Sequence, residues 1–175
     1  MMVFILLNNL IQMLHGYEKD SDGLLCNLLD NAPVLIGIGT NAFSNVRTGV
    51  NLKLPENLRF IADNAFLGSY VKEITINNVV HIGNYAFKNS KLEKVNWKST
   101  ATTTHIGTEA FSGTLITEIV LPQFLQSIGK GAFSNCPNLQ NFVVHENSSE
   151  VTINDYAFYN CLQLNSIDLE YKRVG

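Results

Sequence analysis

Apolar residues recur along this chain in two alternating arrangements. The first is an L-x-x-I-x-L pattern: Val71, Ile74, Ile76; Leu92, Val95, Trp97; Ile116, Ile119, Leu121; Leu139, Phe142, Val144; Leu164, Ile167, Leu169, with Leu52 and Leu54 as a shorter first copy. Its last two apolar positions are two apart, so both side chains face one side of an extended strand and the residue between them faces the other. The second is a phrase that ends in Ala-Phe and returns six times, at Ile38 to Phe43, Ile61 to Phe66, Ile82 to Phe87, Ile106 to Phe111, Ile128 to Phe133 and Ile153 to Phe158. A weaker strand signal leads into this phrase at Leu35 and Ile38, Leu58 and Ile61, Val79 and Ile82, and Leu125 and Ile128. Each unit is therefore predicted to give one strand to a parallel sheet, then a short polar-Ala-Phe turn.

The steps between successive phenylalanines are 23, 21, 24, 22 and 25 residues. Units of that size cannot bury an apolar face alone and must stack on their neighbours, which predicts a solenoid. Coils about 4.8 Å apart would build a stack roughly 25 Å long from six copies. Each column then becomes a ladder. The six phenylalanines form an aromatic spine, the alanine before each leaves room for the next ring, and glycine at the corner permits a tight or positive-φ bend. Pro55 and Pro122 follow the strand in the same column, where a missing N–H ends ladder pairing.

The alternation of L-x-x-I-x-L-P with I-G-x-x-A-F-x-x-C, seen from Ile116 to Cys136 and from Leu139 to Cys161, resembles the BspA-like leucine-rich repeat family over about residues 34–170. The expected class is α/β, a right-handed leucine-rich-repeat solenoid of six coils with a parallel β-sheet and short helical turns. The resemblance implies a non-enzymatic protein-binding module in an adhesin-like protein at the cell surface or secreted, and no catalytic residues to carry over. Trp97 departs from the pattern where Leu or Ile is usual, and Thr103 and Glu150 stand in the apolar column before the Ile-Gly corner.

Residues 1–33 do not fit the repeat, and the solenoid is assigned to 34–175. Val3, Phe4, Leu6, Leu7, Leu10, Ile11 and Leu14 fall at helical spacing, and Leu24, Leu25, Leu28 and Leu29 suggest a second helix. This reads as an N-terminal helical cap over the first coil, with a signal peptide as the rival reading. No basic n-region and no small-residue cleavage site accompany the apolar start. No stretch is apolar over the roughly 18 residues needed to span a bilayer. Glu18, Asp20, Asp22 and Gly23 imitate the start of an EF-hand loop, but Leu29 stands where the bidentate Glu belongs. A polar turn is the reading, and no metal or other cofactor is expected.

Twelve basic against fifteen acidic residues give a net charge of −3, and the basic residues are scattered, so nothing in the pattern suits a nucleic-acid backbone. Cys136 and Cys161 occupy one column of adjacent coils and read as small buried side chains. His15, His81, His105 and His145 show no zinc-ligand spacing. The glycine pairs Gly37/Gly39 and Gly129/Gly131 are repeat corners without the residues of a nucleotide-binding loop, and no nucleophile elbow or acid pair stands out.

Function is therefore expected on the outward columns beside each inward pair. These run through Asn51, Lys53, Glu73, Thr75, Asn77, Lys94, Asn96, Lys98, Glu118, Val120, Asn141, Val143, His145, Ser166, Asp168 and Glu170. The candidate contact residues are Lys94, Asn96, Lys98, Glu118, Val120, Asn141, Val143 and His145, a mildly basic strip beside an apolar pair rimmed by polar groups. The partner class is a host or self surface protein. A structural spacer or cytoplasmic scaffold without a ligand is the competing reading. Two long links, Lys98–Thr104 and His145–Glu150, should bulge from the stack, the second carrying the sequon at Asn147. Few residues follow Leu169, so the last coil is expected either to continue into further chain or to pair end to end with a second copy.

Overall fold

The computed structural model describes residues 36–47, 49, 51–97, 104–121, 125–144 and 151–169. Among these residues twelve short strands follow one another: β1 (Gly37–Ile38), β2 (Asn51–Lys53), β3 (Phe60–Ile61), β4 (Glu73–Ile76), β5 (His81–Ile82), β6 (Lys94–Trp97), β7 (Thr104–Ile106), β8 (Glu118–Leu121), β9 (Leu125–Ile128), β10 (Asn141–Val144), β11 (Thr152–Ile153) and β12 (Ser166–Leu169). Odd-numbered strands pair in parallel as one six-stranded sheet in chain order, while the even-numbered strands form two three-stranded sheets, β2-β4-β6 and β8-β10-β12. The chain is thus a parallel-strand solenoid with one odd and one even strand in each repeat. The longest sheet grows from the weaker of the two strand signals. The stronger L-x-x-I-x-L pattern builds two sheets rather than one, because β6 and β8 are not hydrogen-bonded neighbours.

Register puts equivalent residues on top of one another. Ile74 lies beside Leu52 and Val95, and Phe142 beside Ile119 and Ile167. The inward pairs Leu52/Leu54, Ile74/Ile76 and Ile119/Leu121 join the corner isoleucines Ile38, Ile61, Ile82, Ile106 and Ile128 in one buried core. Through its centre runs the aromatic spine: successive rings from Phe43 to Phe133 stack at centroid separations of 5.0, 4.9, 5.1 and 5.3 Å. Phe158 continues it at 5.8 Å, and Phe142 closes edge-on against both Phe133 and Phe158.

The expected short helical turns are not helices, and the described residues contain none. In the second coil the amides of Asn64, Phe66 and Gly68 donate to the carbonyls of Asn84, Ala86 and Lys88 on the next coil, at 2.9, 2.6 and 2.8 Å. The intervening amides of Ala65, Leu67 and Ser69 turn back to Ala62, Asn64 and Phe66. An α-helix spends every amide within its own segment, whereas this turn sends alternate amides to its neighbour. That alternation needs left-handed residues two before and two after the spine phenylalanine. They are Asn41 and Asn45, Asn64 and Gly68, Tyr85 and Asn89, Glu109 and Gly113, Gly131 and Asn135, Tyr156 and Asn160.

Of the tight or positive-φ bends expected at corner glycines, Gly131 shows the positive φ, while Gly83, Gly107 and Gly129 serve close approach between coils. A β-carbon on Gly107 would stand 2.6 Å from the Gly83 carbonyl carbon, and one on Gly129 would stand 2.5 Å from that of Gly107. At these glycines no side chain fits, because consecutive corners stack backbone on backbone, whereas Ala62 and Asn154 take the same place in the second and sixth coils. Side chains seal the same corner laterally, with Asp63 Oδ1 accepting the Asn84 amide at 2.7 Å and Asn84 Oδ1 accepting the Thr108 amide at 2.9 Å. The expected cap at 1–33, the calcium-like turn and both long links lie largely or wholly outside the described residues.

Candidate protein-binding face

Each even strand exposes alternate residues, and parallel register aligns them into columns. In β2-β4-β6 one column reads Asn51, Glu73, Lys94 and the other Lys53, Thr75, Asn96. In β8-β10-β12 the columns are Glu118, Asn141, Ser166 and Val120, Val143, Asp168. The structure thus places Lys94 and Asn96 on one sheet, and Glu118, Val120, Asn141 and Val143 on the other. Lys98 and His145 lie outside the described residues.

Three expectations about this face change. Asn77 does not point outward: it is buried, and its Nδ2 donates to the Leu54 carbonyl at 2.7 Å, closing the end of the strand. Val120 and Val143 are directly opposite one another but half-buried, so the apolar pair is shallower than an exposed one. The basic strip is locally offset, because Glu73 Oε1 accepts from Asn96 Nδ2 at 2.5 Å and stands 3.9 Å from Lys94 Nζ. Ser166 Oγ likewise donates to Asn141 Oδ1 at 3.2 Å. Such exposed pairs contribute little to stability, but they orient the groups that carry them.

Away from this face, Ile36 and Phe60 are 52% and 49% exposed on neighbouring strand starts of the six-stranded sheet. Phe60 was legible as an outward residue only through its place next to Ile61. In the last repeat Tyr156, Tyr159 and Leu162 are exposed, and Ile167, expected inward, is 46% exposed.

Cys136 is buried and Cys161 half-buried in one column, both as free thiols, in keeping with the reading of small packed side chains. The neighbouring Cys136 holds the Cys161 thiol below the usual range, at about 7, while the same pairing and burial push Cys136 up. Among the described residues no group of three or more His, Cys, Asp or Glu converges on a common point.

The description BspA type leucine rich repeat region matches this sequence in six copies, over residues 31–140 and 104–174. The chain belongs to the BspA-type leucine-rich repeat family. The matched ranges together take in all six spine phenylalanines and the strands that flank them, so the periodicity, the stacking and the family agree on one architecture. No curated protein and no solved structure gave a significant match to this BspA-type chain. Repeat solenoids of this kind typically present extended surfaces for protein interaction. No helix among the described residues is long and apolar enough to cross a membrane.

Proposed function

We propose that this BspA-type chain is a non-enzymatic protein-binding module of an adhesin-like protein, presenting the outward columns of β4, β6, β8 and β10 to a host or self surface protein. The observation that carries this reading is the registered pair Val120 and Val143 with Glu118 and Asn141 beside it in the adjoining column. A small apolar centre rimmed by polar groups is the composition of a protein contact patch. Lys94 and Asn96, aligned along β6, extend this surface, and Lys98 and His145, outside the described residues, are assigned to it from the sequence pattern alone. Placement at the cell surface or in the secreted fraction rests on the family's habit.

The competing reading is a structural spacer or scaffold without a ligand. It draws support from the way outward polar groups satisfy one another, Glu73 with Asn96 and Ser166 with Asn141.

Capture of biotinylated cell-surface proteins by the immobilised chain separates the two. The double substitution Val120→Asp with Val143→Asp should abolish capture at an unchanged unfolding midpoint, because the new charges are desolvated only in the complex. Lys94→Glu should weaken it less. Capture by the double variant equal to that of the unsubstituted chain overturns the sheet-face assignment, and no specific capture by either supports the spacer.

A further inference from the structure

On the six-stranded sheet the outward column reads Phe60, His81, His105, Ser127, Thr152. The two imidazoles are cross-strand neighbours, with ring centroids 6.4 Å apart and planes tilted by 39°. His81 is exposed and His105 half-buried, while the residues after them, Ile82 and Ile106, are buried in the core and fix which way the strands face. The backbone beneath is held on both strands: His105 N–H donates to Val80 O at 3.2 Å, and Gly107 N–H to Ile82 O at 2.8 Å. Next to His105 the ladder is irregular. Thr104 pairs with Leu125 and His105 with Ser127, leaving Gln126 as an extra, exposed residue. A bulge of this kind re-aims neighbouring side chains and recurs beside functional sites.

We propose that His81 and His105 form a two-histidine site for a divalent transition-metal ion on the outer face of the six-stranded sheet. Each neutral imidazole offers one nitrogen lone pair, and a shared tetrahedral ion would hold the two nitrogens about 3.4 Å apart, from bonds of about 2.0–2.1 Å. His81 is exposed, so its side chain is free to turn toward His105 while the strands stay fixed. Imidazole donors favour zinc, copper or nickel over calcium or magnesium, which take oxygen ligands. No third His, Cys, Asp or Glu among the described residues joins the pair, so water or a donor from a docked partner fills the other positions. Mounting both ligands on strands gives the site more precision than loop placement would.

The test is calorimetric titration of the full chain with zinc chloride, with calcium chloride as the comparison ion. One saturable zinc site per chain is expected, together with silence toward calcium. His81→Gln or His105→Gln turns a chelate into a single contact and should weaken zinc binding by about a hundredfold, the scale of an effective-concentration gain. His15→Gln with His145→Gln should retain the site, which separates it from the chain's other two histidines. Both pair positions face outward, so circular dichroism of the variants should match that of the unsubstituted chain. Zinc binding by the His81→Gln/His105→Gln chain equal to that of the unsubstituted chain, or no saturable zinc binding at millimolar ion, overturns the proposal.

Discussion

Phe66 and Phe87 lie face to face, ring centroids 4.9 Å apart and planes 4° from parallel, each fully buried. Their overlap is one step of a column that continues through Phe111 and Phe133, so a central ring has aromatic neighbours on both faces. Phe87→Ala removes a large side chain from a site with no room to collapse, and should lower the unfolding free energy by about 3–5 kcal/mol. Phe158, half-buried at the last step, should cost less. Denaturant unfolding of the two variants checks the ranking, and equal small losses at both would contradict a shared spine.

Gly107 is irreplaceable for a reason of distance. All three nearest atoms to a β-carbon there are backbone: Gly83 C at 2.6 Å, Asn84 N at 2.7 Å and Gly83 O at 2.8 Å. Gly107→Ala must push coils apart and is expected to cost at least about 1–3 kcal/mol. At Gly49 the same methyl meets only the Lys72 Cε at 3.7 Å and the Tyr70 carbonyl oxygen at 4.0 Å, so Gly49→Ala should fall within about 0.5 kcal/mol of neutral. Thermal unfolding of the pair is the measurement.

Much of this architecture was legible because a solenoid repeats its environment, and a repeated environment selects the same residue type. The phenylalanine spine, the corner isoleucines from Ile38 to Ile128 and the inward pairs of β2, β4 and β8 could be read directly, whereas Ile153 and Ile167 of the last repeat are exposed. The turn could not, because its inter-coil bonds are made by backbone amides, which leave no mark on side-chain choice. Asparagine and glycine did hint at left-handed backbone, but Tyr85, Glu109 and Tyr156 occupy the same column and blur the signal. Asn77 was misread because strict alternation ends at Ile76, after which the chain turns and its amide caps the preceding coil. The outward columns were legible as lists of residues, but their pairings were not. Glu73 reaches Asn96, and His81 reaches His105, only once register is known, and unequal coil lengths hide register from the sequence.

Asn89 tests the turn itself. Its φ is 57°, it is exposed, and its side chain occupies the space that a β-carbon on Gly113 would need. Alanine tolerates left-handed backbone worse than asparagine does, so Asn89→Ala should destabilise by about 1 kcal/mol. Glycine adopts it freely, and Asn89→Gly should remain within a few tenths of the unsubstituted chain. Equal losses from both would assign the role of Asn89 to its side chain rather than to its backbone.

The final prediction concerns the thiol column. Cys161 is half-buried and held at about 7, below its ordinary 9.0, chiefly by its pairing with the Cys136 thiol. Burial opposes this, and the protonated thiol donates to the Phe133 carbonyl at 2.9 Å. The contact with Cys136 is the larger influence, so the fold favours the thiolate. A depressed value of this kind gives a contribution to stability that is present in full above pH 9 and is lost as the pH falls through 7. Reactivity follows the same titration, because the thiolate is the nucleophile. In a Cys26→Ser chain, native alkylation by iodoacetamide should modify Cys161 with a rate that rises through a midpoint near pH 7, and should leave the fully buried Cys136 untouched. Cys136→Ser substitutes a different donor and should shift that midpoint. Removing the donor altogether with Cys136→Ala should return it toward 9, and an unchanged midpoint in the alanine variant, or alkylation of Cys136 ahead of Cys161, would contradict the coupling between the two thiols.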